Sequence, residues 1–121
     1  MYIGEVAKQT GLSVKAIRLY EEMGLIDSPP RQGRYRVYRP SDLELLKLIV
    51  EAKKLGVKLN ELKSVILFRD GEPDWQKIGE FLLQVKARLL QEQEALNQKL
   101  ASVDLCLGSL NQCPQRSDND S

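Results

Sequence analysis

Histidine is absent from the 121-residue chain. Its absence removes imidazole general acid–base catalysis and every metal site built on imidazole. A Gly-rich phosphate loop is also lacking, as is any motif pairing a nucleophile with a base, so the chain is not expected to be an enzyme. No apolar run approaches the roughly 18 residues that a membrane span needs, which excludes a transmembrane role. Met1-Tyr2-Ile3-Gly4-Glu5 has no basic stretch followed by an apolar one, so no secretory signal is expected. Cysteine is scarce. The two cysteines read as reduced thiols of a cytoplasmic protein.

What is present is unevenly spread. Hydrophobic residues make up 42% and charged residues 29%, the profile of a soluble globular domain. The net charge is only +1. Residues 1–70 nevertheless carry 13 Lys+Arg against 9 Asp+Glu, while residues 71–121 carry 5 against 8. Between Ser28 and Arg39 stand Arg31, Arg34, Arg36 and Arg39 with no acid, and all four tyrosines (Tyr2, Tyr20, Tyr35, Tyr38) fall in the first 38 residues. A basic, tyrosine-bearing front half and an acidic, aliphatic back half suggest two tasks.

Apolar Ile3, Val6 and Ala7 share a helix face that Thr10-Gly11 stops. Ser13 is placed to cap a second helix carrying Val14, Ile17 and Tyr20 on one side, ended by Gly24. Two short helices joined by a tight turn outline a helix-turn-helix, with Lys15, Arg18 and Leu19 projecting from the second. Ser28-Pro29-Pro30 forbids a helix. Arg31-Gln32-Gly33-Arg34 reads as a turn and Tyr35-Arg36-Val37-Tyr38 as a short strand, together a hairpin or wing. After Pro40, Ser41 and Glu44 form an expected capping box. The helix it opens carries Leu43, Leu46, Ile49 and Val50 and ends at Gly56. Asn60 is expected to cap a further helix with Leu62, Val65, Ile66 and Phe68 on its buried side.

Asp70-Gly71-Glu72-Pro73 is the strongest break, dividing residues 1–70 from a long helix. From Trp75 to about Leu107 there is no proline, and apolar residues recur at a period of 3.5. Trp75, Ile78, Leu82, Val85, Leu89, Leu96, Val103, Cys106 and Leu110 form the seam, with Glu92 and Lys99 as polar exceptions. A single helix of about 33 residues would be roughly 50 Å long, too long for one small core to cover. With no second long amphipathic helix in the chain, another copy is the expected partner. Residues 71–108 are therefore assigned to dimerisation through Ile78, Leu82, Val85, Leu89, Leu96 and Val103. Residues 109–121 are assigned to a C-terminal loop or frayed tail.

These features together resemble the MerR family of bacterial transcription regulators. The resemblance is carried by Ile3-Gly4-Glu5-Val6-Ala7, Gly11-Leu12-Ser13, and Lys15-Ala16-Ile17-Arg18-Leu19-Tyr20-Glu21-Glu22-Met23-Gly24-Leu25-Ile26. Tyr35-Arg36-Val37-Tyr38, Asp42-Leu43 and Gly56-Val57-Lys58-Leu59 continue it, over about residues 1–68. It implies a mainly α fold: a winged helix-turn-helix followed by a long antiparallel coiled-coil dimerisation helix. It also implies a homodimer on double-stranded promoter DNA, kinking and untwisting an overlong promoter spacer for RNA polymerase. By the same resemblance Lys15 and Arg18 face the major groove, reaching base edges or flanking phosphates, and the Tyr20 hydroxyl reaches a phosphate or its ring packs against the wing. Tyr35 and Arg36 grip the backbone from the wing, with Arg31, Arg34 and Lys58 as further contacts. The family commonly has Asn-Gly before the Tyr-Arg pair, where this chain has Gly33-Arg34.

The family's metal sensors place two cysteines in a loop after the long helix, and Cys106 to Cys113-Pro114 has that outline. Two thiolates suit Cu(I) or another soft ion. The absence of cysteine in residues 71–80 disfavours the divalent-metal type. The competing reading is that both cysteines pack as small hydrophobes on the seam, two turns apart in an unbroken helix. A different class of function, a coiled-coil adaptor on a winged-helix scaffold, would not retain a specific duplex at moderate salt. A regulator with a non-metal effector is the third option.

Overall fold

A computed structural model describes residues 1–27 and 29–112, with the side chains of Arg31 and Gln112 left out. Helices α1 (Ile3–Thr10) and α2 (Val14–Glu22) are joined through Gly11, whose φ of 77° needs a residue without a Cβ. Ser13 caps α2 as expected, its hydroxyl accepting from the Ala16 N–H at 3.0 Å. Strands β1 (Arg31–Gln32) and β2 (Tyr35–Arg36) form an antiparallel hairpin pairing Arg31 with Arg36 and Gln32 with Tyr35. The expected strand stops two residues early. Val37 donates instead to the Pro30 carbonyl, and the Tyr38 N–H to the Met1 carbonyl at 2.7 Å.

Helices α3 (Pro40–Lys54) and α4 (Leu59–Val65) follow. Both start earlier than the sequence suggests. Pro40 occupies the first helical position, where its missing N–H costs nothing, so the cap is Arg39 rather than Ser41. The Asp42 carboxylate, not Glu44, closes the turn by accepting the Arg39 N–H at 2.8 Å. In α4 the cap is Lys58 rather than Asn60, and Glu61 accepts the Lys58 N–H at 3.3 Å. The buried face of α3 is Leu45, Leu46, Ile49 and Ala52, with Leu43 and Val50 only half-buried. Val6, Ile17, Leu25, Ile26 and Leu62 complete a core of interlocking short helices.

Asp70-Gly71 is the tip of a second hairpin, β3 (Phe68–Arg69) paired with β4 (Glu72–Pro73). Asp70 and Gly71 both have positive φ, 54° and 78°, the backbone an Asp-Gly hairpin turn requires. A Cβ at Gly71 would stand 3.3 Å from the Arg39 guanidinium, so the turn closes against the start of α3. One compact unit runs from Met1 to Leu82 and a second begins at Leu83.

Helix α5 (Trp75–Gln112) contributes to both. Ile78 and Phe81 lie in the buried set, as does Val85. The helix continues through Gly108. One glycine costs about 1 kcal/mol relative to alanine, too little to end a helix of this length on its own. Residues 109–112, expected in a loop, are therefore helical; residues 113–121 lie outside the described residues.

Candidate nucleic-acid interface

The amphipathic spacing of α2 sorts its residues by task. Ile17 and Tyr20 are buried, while Lys15, Arg18, Leu19 and Glu22 occupy the exposed stripe. Tyr20 is 3% exposed, and its hydroxyl accepts from the Lys53 ammonium at 3.4 Å. Its position on the packed side of α2 places the ring in the core and the hydroxyl oxygen beside α3.

The wing is tied to α2 by one carboxylate. Glu21 receives the Arg36 guanidinium at 3.0 Å and the Tyr38 hydroxyl at 3.4 Å. Arg36 is thereby half-buried and fixed in direction, and part of its charge is spent within the domain. Burial and then the negative charge of Glu21 raise the Tyr38 pKa above its ordinary value of 10.0, so the phenol stays a hydrogen-bond donor. Arg39 is held more firmly charged by its hydrogen bonds to Asp42, which is 2% exposed. Those contacts fix the join between wing and α3.

Between α2, the wing and the first residues lies a small cleft of about 90 Å³, lined by Tyr2, Ile3, Arg18, Arg34, Tyr35, Arg36 and Tyr38. Three guanidinium groups and three phenols converge there. Tyr2 packs against Tyr35 in a tilted pair, 5.6 Å between ring centroids and 54° between planes, and its hydroxyl donates to the Gln32 side-chain carbonyl at 3.5 Å. With Arg36 and the Tyr38 hydroxyl directed to Glu21 and the Tyr2 hydroxyl to Gln32, Arg18, Arg34 and Tyr35 are the lining side chains best placed to donate to phosphate oxygens. Arg18 also lines the neighbouring concave face of α2 with Lys15, Leu19 and Glu22. One residue therefore joins the wing cleft to the exposed helix face.

Of the residues singled out from the sequence, Lys15, Arg18, Arg34, Tyr35 and Arg36 line these two adjoining surfaces. Lys58 is exposed at the start of α4 and lines neither. Arg31 pairs through its backbone with Arg36, and its side chain lies outside the description. Tyr2, Glu21, Gln32 and Tyr38 were not anticipated as parts of the site.

On α5 the expected seam divides. Ile78 and Val85 are 3% exposed, and Leu82 is half-buried. Leu89, Leu96 and Val103 are exposed, and so are Leu100, Leu107 and Leu110. From Leu96 onward these recur at alternating steps of four and three, a stripe that leaves Glu92, Lys99 and Cys106 to one side. Cys106 is an exposed free thiol. The helix runs on to Gln112, about 9 Å further along its axis, before Cys113, which lies outside the described residues. Among the described residues no three Asp, Glu or Cys side chains cluster as metal ligands, and no helix is long and apolar enough to cross a membrane.

Comparison with known proteins follows the same lines. Residues 1–67 match the family described as MerR HTH family regulatory protein. The HTH-type transcriptional regulator CueR of Escherichia coli O6:H1 is 38% identical over 114 residues, covering 89% of this chain and 84% of that one. Heavy metal-dependent transcription regulator 2 of Rhizobium meliloti is 32% identical over 104 residues, covering 85% of this chain and 67% of the relative. Among solved structures, HiNmlR, a MerR family regulator lacking the sensor domain and bound to promoter DNA, shares the fold. It has a TM-score of 0.59 and 22% identity, covering 96% of this chain and 94% of that one. With a family match over its helix-turn-helix and wing, and relatives matched along most of its length, the chain belongs to the MerR family of DNA-binding transcriptional regulators.

Proposed function

We propose that the chain acts as a homodimer on promoter DNA and switches transcription by distorting the duplex. The observation that carries this reading is the pairing of two exposed surfaces of opposite character. One is the arginine- and tyrosine-lined cleft joined to the open face of α2. The other is the apolar stripe Leu89, Leu96, Leu100, Val103, Leu107 and Leu110 on α5. Phosphate contacts at the wing position each subunit, Lys15 and its neighbours on α2 read base edges, and the α5 stripe fixes the distance between two half-sites. Two rigidly spaced grips deform DNA whose own half-sites are mismatched to them, and RNA polymerase reads the result. The test is transcription from promoters whose spacer is lengthened one base pair at a time. The expected result is stimulation only of overlong spacers. Equal output from every spacer, with and without the protein, overturns the distortion mechanism.

A soft-metal effector is the second reading, favoured by the heavy-metal dependence that the name of the Rhizobium meliloti relative states. Cys106 and Cys113 would serve as the two thiolates, which requires α5 to open between them. Titration with Cu(I) against a competing chelator, beside Cys106→Ser and Cys113→Ser, tests it. One tight equivalent per chain, lost in both variants, supports the sensor; no competition with the chelator leaves a regulator with a different effector.

A further inference from the structure

Leu19 stands where a surface helix ordinarily carries a polar residue. It is 47% exposed, although Ile17 and Tyr20 show that α2 has a separate buried side available to apolar residues. Positions 15, 18, 19 and 22 recur at helical spacing, so Lys15, Arg18, Leu19 and Glu22 form one stripe on the concave face. Their chemistry differs along it. Arg18 is shared with the wing cleft and its cluster of guanidinium and phenol groups, which directs it to the sugar–phosphate backbone. Glu22 repels phosphates, which turns its end of the stripe from the backbone toward base edges. Leu19 lies between these two influences, one turn beyond Lys15.

An exposed leucine gains by contact with an apolar group. The cations at positions 15 and 18 favour a polyanion over an apolar protein surface as the occupant of this face. In the major groove of a duplex the apolar group on offer is the 5-methyl of thymine, which no other base presents. We propose that Leu19 is a specificity-determining residue that packs against a thymine 5-methyl group in the major groove, selecting thymine at one position in each half-site. The inference rests on the reading of α2 as the base-contacting helix.

The thymine methyl can be removed without touching any hydrogen bond. A duplex selected from a random library by the wild-type full chain is resynthesised with each thymine in turn replaced by deoxyuridine, and affinity is measured at fixed salt. Wild type is expected to lose about fourfold at one thymine per half-site, the order expected from uncovering one methyl group. Leu19→Ala is expected to bind thymine and deoxyuridine equally at that position, and Leu19→Met to restore the preference. If deoxyuridine is costly at the same thymine for wild type and Leu19→Ala alike, another residue reads the methyl and the inference fails. If no thymine is sensitive, it fails too. A wild-type chain that selects no sequence at all overturns the DNA-reading role of α2 as well, so the two failures are distinguishable. Leu19 is outside the core, and matching unfolding midpoints for wild type and Leu19→Ala will exclude a folding effect.

Discussion

Residues 1–82 and residues 83–112 use leucine and isoleucine for opposite purposes. In the first unit Ile17, Leu25, Ile26, Leu45, Leu46 and Ile49 are fully buried by other short elements of the same chain. In the second, Leu83, Leu90, Leu100, Leu105 and Leu107 remain more than half exposed. Hydrophobic content does not distinguish the two stretches; the availability of a partner surface within the chain does. A long helix with no companion of its own length must be covered from outside or remain exposed. Under the proposed dimer, the comparison separates a unit that buries its own leucines from a segment whose stability would depend on concentration.

The sharpest way to break that comparison is to charge the stripe. Leu100→Asp with Val103→Asp places four carboxylates in the interface of a dimer, each replacing a side chain whose burial is worth roughly 1.5–3 kcal/mol. Sedimentation should show monomers at micromolar concentration, and operator affinity should fall at least a hundredfold. The helices of residues 1–82 should retain their circular dichroism. A variant that stays dimeric removes the stripe from the interface.

Leu46→Ala attacks the other side of the comparison. Leu46 is fully buried, so denaturant unfolding should show a loss of about 2–5 kcal/mol. Leu105→Ala, at a position 74% exposed, should change stability by less than about 0.5 kcal/mol. Similar losses for the two would mean that Leu105 is as well covered as Leu46.

A smaller effect separates Arg18 from Arg36. Both line the wing cleft, but Arg36 also holds Glu21 at 3.0 Å. Arg36→Ala should weaken specific and random duplexes alike, by about 1–3 kcal/mol, and lower the salt slope by about one unit. It should also free the wing, raising amide exchange at Tyr35 and Tyr38. Arg18→Ala should weaken binding without changing exchange in the wing. Indistinguishable exchange in both variants would deny Arg36 its positioning role.

The smallest effect concerns Gly108. Its Cβ position is open space within a continuous helix, so Gly108→Ala should stabilise the protein by about 1 kcal/mol. Destabilisation would mean that the helix ends there after all.

The helices of residues 1–68 were legible because their signals are local. Gly11, Ser13 and the apolar spacing of α2 each specify a neighbour a few residues away. The cap of α3 differs from the expected one because two acids, Asp42 and Glu44, compete for the turn, and proline at the first helical position decides in favour of the earlier one. Asp70-Gly71 carried a hairpin signal that was read as a break, since its two strands are only two residues each. Lys15, Arg18, Arg34, Tyr35 and Arg36 were recognisable as a basic, aromatic set. The fate of Tyr20 and the double duty of Glu21 were not. Both depend on Lys53 and on Arg36 and Tyr38, partners brought near only by the folded chain.

The Glu21 carboxylate sets a limit on exchanging parts between regulators of this kind. Because it holds both Arg36 and Tyr38, α2 and the wing are joined through one side chain. A chimera that imports a foreign α2 without an acid at position 21 would acquire new base preferences on a wing no longer aimed at the backbone. On the proposed role of α2, retargeting would alter positions 15 and 19 while leaving position 21 untouched, so that the interchangeable unit is a helix face and not a helix.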